Sequence, residues 1–190
     1  MVSRLEVVIG GVGGQGSILA GTILGQAAVE FDGKYAVQTQ AYSSELRGGF
    51  AATWVILSDN EIIYPRVLEP DVLVAQAQDA LNRFYKKVKA RGIVIIDSDI
   101  VKQIPRERSA GQLYELPATS VSRKEYGSPI AANMILVGGL WFVTRVVTFE
   151  AMTKAIESNV PASKKHMNLK AFELGVRLAE SLGWEVQKWG

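Results

Sequence analysis

The stretch Leu5-Glu6-Val7-Val8-Ile9-Gly10-Gly11-Val12-Gly13-Gly14-Gln15-Gly16-Ser17-Ile18-Leu19-Ala20-Gly21-Thr22-Ile23-Leu24 carries an apolar run, then glycines, then a helical pattern. Residues Arg4 to Ile9 read as a buried strand stopped by the Gly10–Gly16 glycines. From Ser17 to Glu30 the apolar positions Ile18, Leu19, Ile23, Leu24, Ala27 and Ala28 share one helical face, until Asp32-Gly33 breaks the pattern. A buried strand joined by glycines to an amphipathic helix is the unit from which open α/β sheets are built.

Working outward, Tyr35-Ala36-Val37-Gln38-Thr39 predicts a second strand that runs into a polar loop, Gln40 to Arg47. Gly49 to Leu57 predicts a third, and Ser58-Asp59-Asn60-Glu61 a turn into Ile62-Ile63-Tyr64, so that this pair forms a hairpin and the sheet is mixed. Asp71 to Ala75 is a short strand. The helix after it turns Leu81, Phe84, Tyr85 and Val88 inward and Arg83, Lys86, Lys87 and Lys89 outward. Ile93-Val94-Ile95-Ile96-Asp97 is the most β-branched run and reads as a central strand. Residues 102–128 carry turn and charge signals with one short strand, Leu113 to Leu116. Pro129 to Val143 reads as a helix apolar on nearly every face, followed by helices at Phe149–Ser158 and Asn168–Leu182. The expected fold is α/β, a Rossmann-like three-layer sandwich with a mixed, mostly parallel sheet, formed as one domain over residues 1–190.

Composition narrows the function. The 190 residues hold 21 Lys and Arg against 19 Asp and Glu, a net charge of +2, which gives no field arguing for nucleic acid or an anionic membrane. With no Cys, the chain has no disulfide, no Cys-ligated zinc, no iron–sulfur cluster and no cysteine nucleophile. The amino terminus shows no secretory pattern, and the apolar run Ala131 to Val143 is too short to span a bilayer and contains Asn133. A cytoplasmic protein with no membrane contact is the expectation.

Gly11-Val12-Gly13-Gly14-Gln15-Gly16 satisfies the G-x-G-x-x-G spacing in the context that gives it meaning, between strand and helix. Glycines allow close backbone approach, and the helix start points free N–H groups at the loop, so a phosphate or carboxylate could sit there. A tight strand-to-helix turn uses glycines without any ligand, and that reading stays open beside the first. A nicotinamide site expects an acid at the end of the second strand, where this chain has Val37-Gln38-Thr39-Gln40. The sole His, His166, cannot build a zinc triad, and no Gly-Lys-Ser or Gly-Lys-Thr follows the glycines.

A second loop, Tyr42-Ser43-Ser44-Glu45-Leu46-Arg47-Gly48-Gly49, follows the carboxyl end of a strand and is expected to face the glycine turn. Arg47 can grip an anion with its fork and Gly48-Gly49 admits another backbone, or Glu45 and Arg47 simply pair on a surface turn. Asn133, in the apolar helix, requires partners if buried, with the backbone of adjoining loops the natural source. That helix suits a core, a subunit interface, or a share of both.

With these residues quoted, the chain resembles the gamma subunit, or gamma domain, of the 2-oxoacid:ferredoxin oxidoreductases. The likeness rests on the glycine loop with Ala20 and Gly21 behind it, and on the Glu-x-Arg-Gly-Gly ending of Tyr42 to Gly49. It also rests on Asn133 with Leu136, Gly138 and Leu140, and on Asn168-Leu169-Lys170-Ala171-Phe172-Glu173-Leu174-Gly175. Ser43-Ser44 departs from the Gly-Pro of many relatives, and the Arg-Gly-Gly form looks more like the 2-oxoglutarate and 2-oxoisovalerate branches than the indolepyruvate branch.

The resemblance implies a subunit, inactive alone, of an enzyme that oxidatively decarboxylates a 2-oxoacid, reduces ferredoxin and forms an acyl-CoA. Its partners would be alpha, beta and possibly delta subunits, with ferredoxin met indirectly and protomers possibly paired as a homodimer. Thiamine diphosphate, magnesium and iron–sulfur clusters would sit on those partners. By position, Gly13, Gly14, Gln15, Gly16 and Ser17 fall in the family's glycine loop, and Ser44, Arg47, Gly48 and Gly49 in the loop implicated near coenzyme A. A stand-alone dinucleotide-dependent oxidoreductase and a purely structural interaction subunit are the alternatives.

Overall fold

The opening apolar run forms β1 (Arg4–Val12), which continues through Gly10 and Gly11 instead of stopping at Ile9. A Cβ at Gly10 would strike Ala80, and one at Gly11 would strike Gln15, Ser17 and Gln76, so bare backbone lets the strand persist while its neighbours close in. The computed structural model describes residues 4–43, 49–106, 111–187 and 189.

The helical pattern forms α1 (Ser17–Gln26), which widens into a π-helical turn over Ala27–Phe31 before β2 (Tyr35–Tyr42) and β3 (Phe50–Ser58). Next come β4 (Val72–Ala75), α2 (Gln78–Phe84), β5 (Ile93–Asp97) and β6 (Gln112–Leu116). The chain then turns helical, with α3 (Ala118–Tyr126), α4 (Ala132–Thr144), α5 (Phe149–Asn159) and α6 (Lys165–Ser181). No described helix is long and apolar enough to cross a membrane.

The sheet has six strands in the order β2-β3-β1-β4-β5-β6. Parallel ladders join β1 to β4, β4 to β5 and β5 to β6, while β3 runs antiparallel to both β1 and β2. The sheet is therefore mixed and mostly parallel, as expected, but for a different reason. The predicted hairpin partner Ile62-Ile63-Tyr64 is not a strand, and Ile63 is exposed. The antiparallel partner of β3 is β2 instead, with Tyr35 opposite Ser58 and Tyr42 opposite Ala51. β5 lies inside the sheet with all its residues buried, although β4 and β1 are nearer its middle.

The two faces are covered unequally. Leu5, Val7, Ile9, Val55, Val74 and Ile95 turn to one face and pack with α1, α4, α5 and α6 in the larger core. Val8, Ala52, Leu73, Val94 and Ile96 turn to the other, covered by Ala80, Leu81 and Phe84 of α2. The charged side of the α2 segment faces solvent as its pattern predicts, with Arg83, Lys86, Lys87 and Lys89 exposed.

α3 falls in the 102–128 segment that sequence left as turns and one strand. Its residues Ala118 to Tyr126 include two Ser, a Thr and three charges, so the apolar stripe is too thin to announce a helix. α4 has every residue from Asn133 to Thr144 buried, which places it in the core of this chain. It lies backbone-close to α6: a Cβ at Gly138 would strike the Phe172 carbonyl, and one at Gly175 the backbone of Ile135. The later signature segments are thereby explained as the seam between two helices, with Asn168 Nδ2 donating to the Lys164 carbonyl at 2.9 Å.

Candidate functional site

The site lies where β1, β4 and β5 end, at the carboxyl edge of the parallel strands, where crevices of open α/β sheets form. After Val12 the chain turns through Gly14 and Gly16, whose φ angles of 96° and 77° lie in the left-handed region that side chains disfavour. The Gln15 side chain ties the turn: its Oε1 accepts from Val12 N–H at 2.8 Å and its Nε2 donates to the Gln76 carbonyl at 3.1 Å. α1 then starts at Ser17 with no side-chain cap, leaving first-turn N–H groups without a side-chain acceptor and the positive end of the helix at the loop.

Each spaced glycine has an assignable task. Gly11 makes room for the Gln15, Ser17 and Gln76 side chains, and Gly16 abuts Asn133 of α4. Gly13 N–H donates to the Gly49 carbonyl at 2.7 Å, so the end of the second signature loop meets the glycine loop as expected. Ser44, Arg47 and Gly48 lie outside the described residues, as do Glu45 and Leu46. Ser17 is buried, and its hydroxyl donates to Gln76 Oε1 at 3.1 Å, facing inward to the sheet. Behind α1, Gln38 of β2 donates to the Ile18 carbonyl and to Thr53, so this polar residue is a strut beneath the helix.

A cavity of about 370 Å³ opens beside the loop, with Gly14, Gln15, Gln76 and Asn133 at one side and Ile100, Ile130 and Leu136 among its apolar walls. Arg123 of α3 also lines it. Gln76, immediately after β4, is 3% exposed; its N–H donates to the Gly10 carbonyl, and its Oε1 is taken by Ser17. Its Nε2 is buried with no hydrogen-bond partner.

Asp97, at the end of β5, is also buried and lines the cavity, but its oxygens are engaged. Oδ2 accepts from the Thr119 hydroxyl at 2.6 Å and Oδ1 from Asp99 N–H at 3.1 Å, which anchors the start of α3. Burial pushes its pKa above the ordinary carboxylate value, partly countered by the Thr119 hydrogen bond. Asn133 Oδ1 accepts from Met134 N–H at 2.9 Å, a shorter-range partner than the adjoining loops expected from sequence.

Sequence reading missed Gln76, Asp97 and Arg123. The first two had a usable signal: each is the polar residue that closes or follows an otherwise apolar strand, at the edge where ligands gather. His166 is exposed at the start of α6, away from any metal grouping, and the described residues hold no cluster of three or more His, Cys, Asp or Glu that could bind a metal ion. Donors and aliphatic walls suit this edge to binding an anionic ligand rather than to transferring protons.

The family model for pyruvate ferredoxin/flavodoxin oxidoreductase matches residues 6–178. The chain belongs to that family. Among its pyruvate ferredoxin/flavodoxin oxidoreductase relatives it is 40% identical over 179 residues to the 2-oxoglutarate synthase subunit KorC of Methanocaldococcus jannaschii, covering 94% of this chain and 96% of that one. The crystal structure of the keto/oxoacid ferredoxin oxidoreductase gamma subunit from Geobacter sulfurreducens PCA superposes with a TM-score of 0.81 at 35% identity, over 93% of this chain and 99% of that one. The whole chain also shares its fold with 34% of a chain of 2-oxoglutarate:ferredoxin oxidoreductase from Magnetococcus marinus, at TM-score 0.84 and 22% identity. The architecture is thus that of a gamma-type subunit, as in the Geobacter sulfurreducens structure.

Proposed function

We propose that this chain is the gamma-type subunit of a cytoplasmic 2-oxoacid:ferredoxin oxidoreductase, 2-oxoglutarate the leading substrate, and that its glycine-loop edge holds part of coenzyme A. The end-to-end match to a subunit of 2-oxoglutarate synthase supports the assembly and substrate class. The observation that carries the coenzyme A reading is the uncapped start of α1 beside an open cavity. An anion is stabilised there by backbone N–H groups and the helix dipole, and the donors present fit a phosphate-bearing molecule.

In this reading Gly13, Gly14, Gln15 and Gly16 shape the anion seat, Ser17 holds Gln76 in place, Gly49 meets the loop through Gly13, and Ser44, Arg47 and Gly48 are further coenzyme A contacts by their place in the signature. Alpha and beta subunits, and a ferredoxin-like delta subunit where present, carry thiamine diphosphate, magnesium and the iron–sulfur clusters. Coenzyme A supplies the thiol that takes up the acyl group, while this chain binds and orients it.

Two measurements test the reading. The purified chain alone gives no turnover with 2-oxoglutarate, coenzyme A and a viologen dye, whereas the complex reconstituted with its partner subunits does; turnover by the chain alone refutes the subunit assignment. Calorimetry of the complex shows coenzyme A binding weakened by about 1.5–3 kcal/mol in Arg47→Ala, the worth of a charged hydrogen bond. Unchanged affinity removes Arg47 from the site.

A further inference from the structure

The sheet face that α2 covers is only partly closed. α2 reaches β1, β4 and the near part of β3, and no residue of β2 joins the core on that side. Across the remaining part, Thr39, Trp54 and Val8 stand in one rung from β2 through β3 to β1. With residues 66–70 as one wall and Phe84, Lys86 and Lys87 as the other, they line a groove of about 640 Å³. Resting on the subunit reading, we infer that this groove and its rim dock an acidic, amphipathic segment of a partner subunit.

The rim is apolar where solvent should make it polar. Ile63 and Leu68, at 92% and 63% exposed, are the most exposed large apolar side chains among the described residues, and Tyr64 beside them is 55% exposed. Scattered exposed hydrophobics need no explanation, whereas several in one loop mark a contact surface. The loop is held in place for that contact. Arg4 donates to the Tyr64 carbonyl at 3.0 Å, and the Glu6 N–H donates to Asp71 Oδ2 at 2.8 Å where the loop enters β4. Ile63 and Tyr64 lie outside the groove lining, so a small molecule in the groove leaves them in water, while a protein surface covers both.

The floor supplies anchors. Trp54 is half-buried and meets Phe84 edge to face at 5.7 Å, with Phe50 at 5.9 Å from the same ring. Tryptophan and arginine at the centre of a patch carry a large share of the binding energy in protein interfaces. Charge then selects the occupant. Arg66, Lys86 and Lys87 line the groove against one carboxylate, Glu69, in a chain whose charges otherwise nearly balance. Among the described residues, neither Arg66 nor Lys87 has an ion-pair partner. A second copy of this chain docked face to face would set these cations against each other, whereas a segment bearing Asp or Glu complements them.

The test is titration of the full chain against its partner subunits at low and at physiological salt. Ile63→Ser combined with Leu68→Ser weakens assembly about tenfold or more. Arg66→Glu combined with Lys87→Glu weakens it at low salt, and the loss shrinks as salt rises. Both pairs are at the surface, and circular dichroism shows that the variants are folded. In the wild-type complex, carbodiimide coupling joins the Lys87 amine to an Asp or Glu of a partner subunit, located by mass spectrometry. Normal assembly by both double variants overturns the inference. An effect of the apolar pair alone, with no Lys87 link, overturns the acidic partner. An equal loss from Lys154→Glu, on α5 over the other face, makes the charge effect general and overturns the groove. A dimer of the isolated chain that Leu68→Ser abolishes puts a second copy there instead, and binding to phosphatidylglycerol vesicles through Ile63 and Leu68 puts a membrane there; either result overturns it. A wild type that joins no partner subunit sinks the subunit reading itself, whereas assembly that ignores the groove variants sinks the docking face alone.

Discussion

Glycines bring elements together at two places in this molecule, and to opposite ends. At the seam between α4 and α6, Gly138 and Gly175 let two helices touch backbone to backbone, and nothing else could enter. At the β1–α1 turn, Gly14 has no atom within 4 Å of where its Cβ would stand, while Gly16 takes a left-handed φ against Asn133. The first arrangement spends its missing side chains on density and the second on access. A glycine's role thus follows from what its absent Cβ would have met, which residue identity does not reveal.

The sharpest way to break that contrast is Gly175→Ala. The new methyl would collide with the backbone of Ile135, which cannot move aside as a side chain could, so denaturant unfolding should show a loss of about 3 kcal/mol. A loss below about 1 kcal/mol would mean the seam is looser than the geometry requires. Gly16→Ala comes next at about 2 kcal/mol, because the left-handed backbone is itself strained for alanine and Asn133 must shift. Adding Asn133→Ala to that variant should recover only the collision, leaving the strain, and full recovery would show that the φ angle is unimportant.

A subtler effect concerns Asp97, beside the open region. Since burial raises its pKa, the native state holds this proton more tightly than the unfolded chain does. The associated stability is full below the unfolded value of 3.8 and is lost as pH rises through the higher folded value. Asp97→Asn should therefore flatten the fall in wild-type stability over the pH range just above the ordinary carboxylate value, measured by denaturant titration; an unchanged slope would assign that fall to other groups. Smallest is Gly25→Ala, in α1, where the nearest atom to a new Cβ is 3.9 Å away at Ala36. Here alanine should stabilise by about 0.5 kcal/mol through helix propensity, read as a raised midpoint, and a destabilisation would show that this glycine serves packing too.

Much of this was legible beforehand. The βα opening, the apolar strand Ile93–Asp97, the α2 segment with its inward Leu81 and Phe84, and the buried Pro129–Val143 helix all followed from periodicity. α3 did not, because Ser, Thr and charges mask its thin apolar stripe. The hairpin over 58–64 was misplaced because turn residues after β3 suggest a return strand, whereas β3 finds its antiparallel partners in β2 and β1. Of the residues at the loop edge, Gly13 to Gly16 and Gly49 were named from spacing and resemblance, and Gln76, which the fold brings beside them, by neither.

Local sequence, then, determined the elements and the existence of a glycine turn at a helix start, since hydrophobic period and backbone freedom act over a few residues. Only the folded chain decided that β3 enters antiparallel between β2 and β1. Only it placed Gln76, sixty positions from the loop, with a bonded Oε1 and an unpartnered Nε2. The reason is that strand order and the hydrogen-bond balance of a buried amide depend on contacts between distant segments, which no local pattern encodes.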